Sequence, residues 1–156
     1  MKKKIIRYWD SDCFLGWLNK ELDKKENCEY VLDLAENGKV IIVYSAITLT
    51  EVIYLRGRLQ ISFEKHKAIE NFFQRSYLRM IDVDRKIANF ARELIWKYNV
   101  KPKDSIHVAT AINRNISILN TFDGGLLKLD GKLQLEDKSK NLTIKIPDSN
   151  IQKEIF

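Results

Sequence analysis

Two kinds of apolar run alternate along this chain. Some are short and continuous; others are longer and spaced at helical intervals. Ile5 to Trp9 is a short run ending at Asp10 and predicts a strand. Ser11 to Leu18 predicts a helical segment, and Asn19 to Asn27 is polar, a loop or helix end. Tyr30, Val31, Leu34 and Ala35 have helical spacing, with Gly38 as the stop. Val40 to Val43 is a continuous β-branched run, expected of a strand buried on both faces of a parallel sheet.

Ser45 offers a cap for a helix over 47–55, ended by Gly57. In such a helix Ile47, Glu51 and Leu55 share one row, so Glu51 interrupts an apolar stripe. A helix is predicted over 62–76 and a strand over 78–83. Asp84 then caps the clearest helical pattern in the chain, formed by Ile87, Ala88, Ala91, Leu94, Ile95 and Tyr98. Pro102 leads a helix over 103–114, whose first turn sets Asp104 above Val108 and Ala111. A strand is predicted over 116–119. Residues 126–129 and 132–135 suit a hairpin about Asp130-Gly131. A polar linker over 134–141 precedes Leu142, Ile144 and Ile146, which alternate like an edge strand before Pro147.

Strands that alternate with helices imply an α/β fold: a three-layer α/β/α sandwich around a mostly parallel sheet. The 156 residues suffice for one sizeable core. At 45% hydrophobic and 31% charged the balance is that of a globular chain, and only 6 Gly and 2 Pro exclude collagen-like and low-complexity classes. The net charge of +6 suits a polyanionic partner without identifying one. Cys13 and Cys28 form no C-x-x-C pair and have only His66 and His107 to join them, which argues against structural zinc. They read as reduced core residues of a cytoplasmic protein. The basic start lacks the apolar segment of a signal peptide, and the apolar run around 40–47 is too short to span a bilayer.

In open α/β sheets, ligands bind beyond the carboxyl ends of the strands. Asp10 and Asp123 follow two predicted strands, while Glu51 and Asp104 lie in early helix turns. Each has an ordinary explanation. Asp104 suits any helix start, and Thr48-x-x-Glu51 reads as a capping box. Four acids meeting at one sheet edge would be different, because they would raise each other's pKa values. Mg²⁺ or Mn²⁺ removes that conflict with oxygen ligands and creates a centre suited to phosphodiester hydrolysis. Lys and Arg elsewhere would hold flanking phosphates.

Four stretches carry a resemblance. They are Tyr8 to Leu15, Ser45 to Tyr54, Lys103 to Ala111, and Ile118 to Asp123, the last containing Thr121-Phe-Asp123. In order and spacing, over about residues 5–129, the chain resembles the PIN-domain nuclease family, especially VapC-type toxins. The resemblance implies a metal-dependent ribonuclease that leaves 5′-phosphate and 3′-hydroxyl ends, with a small antitoxin and a homodimer as partners. It makes Asp10, Glu51, Asp104 and Asp123 the catalytic Mg²⁺ or Mn²⁺ ligands, with Ser11, Asp12 and Thr121 orienting ligand or phosphate. Arg56 and Arg58, close after Glu51, are candidates for the RNA backbone or solvated helix-end charges, and His107, a turn into its helix, reads as a packing residue with a ring nitrogen bonded nearby rather than as a general base. It divides the chain into a PIN-like domain over 1–131 and a C-terminal extension over 132–156 with an added edge strand. Asp12 stands where Asn or Ser is commoner, and Gly124-Gly125 stands where a charge often follows the acid. Two other readings remain. Asp10 and Asp12 after a strand resemble the nucleophile and acid of a haloacid-dehalogenase-type phosphatase, although that family's later lysine and paired-acid motifs have no clear place here. A non-catalytic PIN-like module that binds RNA or protein is the other.

Overall fold

The computed structural model describes residues 3–55, 59–148 and 151. In chain order the elements are β1 (Ile5–Trp9), α1 (Ser11–Leu18), α2 (Lys25–Glu36), β2 (Val40–Ser45), α3 (Thr48–Glu51), β3 (Tyr54–Leu55), β4 (Leu59–Gln60) and α4 (Phe63–Phe72). There follow β5 (Leu78–Ile81), α5 (Arg85–Tyr98), α6 (Pro102–Asn113), β6 (Ile118–Asn120), α7 (Gly124–Leu127) and β7 (Thr143–Lys145). Five strands form one sheet in the order β5-β2-β1-β6-β7, and every pairing is parallel. Helices cover both faces, which makes the fold an α/β sandwich.

Side-chain alternation explains the two layers of core. Tyr8, Ile41, Val43, Leu119 and Ile144 face one cluster, where α5 and α6 contribute Ile87, Leu94, Val108 and Ile112. Trp9, Val40, Ile42 and Tyr44 face the other, packed by Phe14, Val31 and Phe72 from α1, α2 and α4. Phe14 is fully buried, edge-on to Trp9, Phe73 and Tyr44 at 5.0, 5.1 and 5.8 Å between ring centroids. Truncating such an aromatic costs about 3–5 kcal/mol. Phe14 thus ties α1 to the sheet and fixes where Asp10 and Ser11 sit. Cys13 and Cys28 are free thiols inside this second core.

The chain runs outward from β1 through β2 to β5, then returns to β6 on the other side of β1. The carboxyl ends of β1 and β6 therefore flank the point where strand order reverses. That is where open parallel sheets bind ligands.

Local signals account for most element ends. Asp84 Oδ1 accepts from Ile87 N at 2.8 Å and starts α5 as predicted. Ser62 Oγ accepts from Lys65 N and starts α4. Pro102 takes the first position of α6, where its missing N–H costs nothing. Gly38 ends α2 at φ +79°.

Two expectations need correction. The helix predicted over 47–55 is the single turn α3, after which the backbone turns into the β3-β4 antiparallel ribbon. Ile47, Thr48, Thr50, Val52 and Ile53 are all β-branched, which disfavours helix extension. Ser45 Oγ does accept from Ile47 N at 3.2 Å, but Glu51 closes the turn rather than lying within a stripe. The hairpin about Asp130-Gly131 is likewise absent. Residues 124–127 are helical, capped by Asp123, and Asp130 Oδ1 accepts from Ile144 N at 2.8 Å. Antiparallel pairing occurs instead between Gln134 and Asn141, so the polar linker folds back on itself and buries Leu133 and Leu135. Among the described residues no helix is long and apolar enough to cross a membrane.

Candidate active site

A cleft of about 570 Å³ opens at the carboxyl edge of the sheet. Asp10, Glu51, Asp104 and Asp123 all line it, together with Ser11, Asp12 and His107, and Lys101 and Lys103 stand at its side. Four distant segments of chain thus bring their acids to one place. Thr121 bonds to them from beneath, while Arg56 and Arg58 lie outside the described residues.

Asp10 occupies the N-cap position of α1, yet its side chain makes no capping hydrogen bond. It is 3% exposed. Oδ2 accepts from Thr121 Oγ1 at 2.5 Å, whereas the buried Oδ1 has no hydrogen-bond partner among the described residues. Burial pushes this carboxyl well above the ordinary carboxylate range. Its neighbour Asp12 adds to the push, and the Thr121 hydrogen bond opposes it. A buried carboxylate oxygen without a donor is costly, and an oxygen-seeking cation is one way to satisfy it.

Thr121 is a hinge pin between two acids. It donates to Asp10 and accepts from Asp123 N at 3.0 Å. Asp123 Oδ2 in turn accepts from Leu126 N at 3.0 Å and caps α7. Asp12 is engaged differently, since both of its carboxylate oxygens accept from Phe122 N at 3.2 Å. It braces the loop after β6.

Glu51 is held by a buried chain of side chains. Its Oε1 accepts from Ser11 Oγ at 2.6 Å and bonds His107 Nε2 at 2.8 Å, so Oε2 carries neither bond. His107 is 1% exposed, and its Nδ1 lies 2.7 Å from the Tyr8 hydroxyl. The two ring nitrogens thus bridge the Glu51 carboxylate and the tyrosine hydroxyl. Burial pushes Glu51 up, but the bonds from His107 and Ser11 outweigh it and leave its pKa below the ordinary value. Asp104 is raised, chiefly by burial and then by Asp123, while His107 and Lys101 pull it down. Two acids in one cleft are therefore strained as anions, and one is settled.

The donor chemistry fits a hard divalent ion. Among the described residues, the group with donor atoms all within 4.8 Å of one another is Asp10, Asp12 and Cys13, so no three of the four predicted ligands are that close. Cys13 is a poor member of that group. Its Sγ donates to Asn120 O at 3.3 Å, and burial and Asp10 push its thiol well up. Soft sulfur in that state does not suit Mg²⁺ or Mn²⁺. Asp12 is already occupied by Phe122. Asp10 lines the cleft with Glu51, Asp104 and Asp123, and its Oδ1 has no hydrogen-bond partner among the described residues.

Tyr8 and His107 belong to the site although neither carries one of its acids. The signal was present: His107 is one turn after Asp104, and Tyr8 lies on the same strand face as Asp10. Nothing local could have paired His107 with Glu51.

The family profile of the PIN domain matches residues 8–132. No curated protein matches the chain in sequence. In fold it is similar to a chain of VapBC2 from Rickettsia felis bound to a DNA fragment from its promoter, at TM-score 0.60 and 21% identity over 92% of this chain and 100% of that one. It is also similar to a chain of a toxin-antitoxin complex from Klebsiella pneumoniae, at TM-score 0.54 and 20% identity over 75% of this chain and 86% of that one. A match across most of the chain, on a parallel sheet whose carboxyl edge gathers acids from four segments, makes this protein a member of the PIN domain family.

Proposed function

We propose that the chain is a Mg²⁺- or Mn²⁺-dependent ribonuclease, the toxin of a cytoplasmic toxin-antitoxin pair. The observation that carries this reading is Asp10: a buried carboxylate with one unpartnered oxygen, lining a cleft shared with Glu51, Asp104 and Asp123. These four would hold the metal, directly or through water. Bound there, the ion supplies the positive charge that lets a phosphodiester approach carboxylates and lets water ionise near neutral pH.

The chain's own residues do the rest. Lys101 and Lys103 draw the phosphate to the cleft. Ser11 and His107 hold Glu51 in one orientation, and Thr121 holds Asp10 against the Asp123 loop. Hydrolysis then adds water across a P–O bond, leaving the 5′-phosphate and 3′-hydroxyl expected of the family. Arg56 and Arg58 extend the contact to the RNA backbone in this reading. A small antitoxin partner and a homodimer belong to the same proposal, and the Rickettsia and Klebsiella complexes support the former. Residues 132–156 extend the domain of residues 1–131. They contribute β7, Leu133, Leu135, Leu142 and Ile144 to one core and Ile151 to the other.

The phosphatase alternative needs Asp12 as a mobile proton donor, and the double engagement of Asp12 by Phe122 N favours the nuclease. Incubation of RNA with the purified chain tests the proposal. Cleavage is expected with Mg²⁺ or Mn²⁺ and lost in Asp104→Asn at unchanged circular dichroism. Cleavage that persists in EDTA overturns the metal mechanism, and RNA or antitoxin binding without turnover in either metal makes the chain a binding module.

A further inference from the structure

A second groove, of about 370 Å³, adjoins the acidic cleft and shares Lys101, Asp104 and Asp123 with it. Away from the acids its walls change character. Tyr98, Lys128 and Lys132 line it, and Gly125 lies beside Asp123. We propose that this groove is the track for single-stranded RNA flanking the scissile phosphate, with the lysines on backbone phosphates and Tyr98 stacked on a base. The proposal rests on the ribonuclease reading of the neighbouring cleft.

Charge is the first reason. Lys101, Lys128 and Lys132 are exposed, and among the described residues none is held in a salt bridge. Lys24, Lys67, Lys86 and Lys145, by contrast, each pair with a carboxylate. Unpaired ammonium groups beside a set of acids suit a polyanion that must pass those acids.

Shape is the second. Tyr98 is the last residue of α5, 43% exposed, where Asn99 turns the chain at φ 53°. An exposed ring at a groove wall offers a stacking face to any base. A Cβ at Gly125 would lie 3.1 Å from Asp123 Oδ2. Glycine leaves the wall bare beside the acid, so a sugar-phosphate backbone can come close. Lys132 is carried into place by a fixed turn, with Gly131 at φ +74° and its N–H bonded to Leu142 O at 3.0 Å.

The test is fluorescence anisotropy of a fluorescein-labelled oligouridylate with the full chain in EDTA, over a range of salt. Lys128→Ala/Lys132→Ala is expected to weaken binding roughly tenfold at low salt and to flatten the log–log salt slope by about 1.4, at about 0.7 per lost phosphate contact. Tyr98→Ala is expected to weaken it roughly fivefold or more at an unchanged slope. Arg92→Ala/Lys97→Ala, on the outer face of α5, serves as the control and leaves both unchanged. Parent affinity and slope in the lysine variant overturn the proposal, as does a parent chain that does not bind the oligonucleotide. Loss of an acidic protein partner in that variant, with RNA binding intact, overturns it too and gives the groove to that partner. Binding is read without metal, so the two readings fail separately. A chain that binds through the groove but never cleaves RNA sinks the ribonuclease; a chain that cleaves but ignores these substitutions sinks the groove.

Discussion

His107 Nε2 lies 2.8 Å from Glu51 Oε1, although 56 residues separate the two in sequence. The pair is buried on the histidine side and opens to the cleft on the glutamate side. Behind the ring stands Tyr8, whose hydroxyl is 2.7 Å from Nδ1. A buried tyrosine, a histidine and a serine are thus all spent on holding one carboxylate.

Removing that support should loosen metal binding. His107→Gln is expected to lower Mg²⁺- or Mn²⁺-dependent cleavage about 10–100-fold, the usual cost of losing a ligand's supporting partner. Titrating the rate with metal checks it. The midpoint should move to higher concentration, and an unchanged midpoint would limit His107 to packing.

Asp10 should be a liability to the metal-free fold. Its pKa is raised above the unfolded value, so stability falls as pH rises from the unfolded pKa through the folded one. Asp10→Asn is therefore expected to raise the thermal midpoint at neutral pH while abolishing cleavage. Its amide can donate to Asp12 while its oxygen still accepts from Thr121. The gap between variant and parent should shrink as pH is lowered, since the parent carboxyl becomes neutral too. A midpoint at or below that of the parent at pH 7 would contradict this account.

Metal should reverse the same penalty. Saturating Mg²⁺ or Mn²⁺, at about 100 times its dissociation constant, is expected to stabilise the parent by about 2.7 kcal/mol. Differential scanning fluorimetry with and without EDTA reads it out. Asp10→Asn should show little of the shift.

Asp12 separates the nuclease from the phosphatase. Asp12→Asn retains one oxygen for Phe122 N, so most RNA cleavage should survive. Asp12→Ala leaves that N–H unpaired and should cost about 1–3 kcal/mol of stability, visible in urea denaturation. Hydrolysis of small phosphomonoesters, abolished by Asp12→Asn, would favour the phosphatase instead.

Much of this was legible from residues alone, for a physical reason. The β-branched run at Val40, the Asp84 cap and Pro102 are local signals, and each specifies an element within a few residues of itself. The acids at Asp10 and Asp123 were placed by the topology that alternating elements imply. Glu51 sits on one helical turn rather than on a helix over 47–55, because the Ile47, Glu51, Leu55 row has helical spacing but the β-branched residues around it do not extend the helix. Asp130-Gly131 misled in the other direction: the turn residue is real, but Asp130 bonds to Ile144 across the sheet edge. Such pairings over long sequence distance, like His107 with Glu51, leave no periodic trace.

The order of the sheet also has a bearing on when the protein becomes competent. β5, β2 and β1 are complete by residue 81, but β6, β7 and Asp123 come from the far end of the chain. A nascent chain can assemble one side of the sheet while the other is still being synthesised. Asp10, Glu51 and Asp104 are then present without the strand that positions Thr121 and Asp123. The acidic centre is thus completed late in translation, and a product that stops before β6 has three of the cleft's four predicted ligands but neither Thr121 nor Asp123.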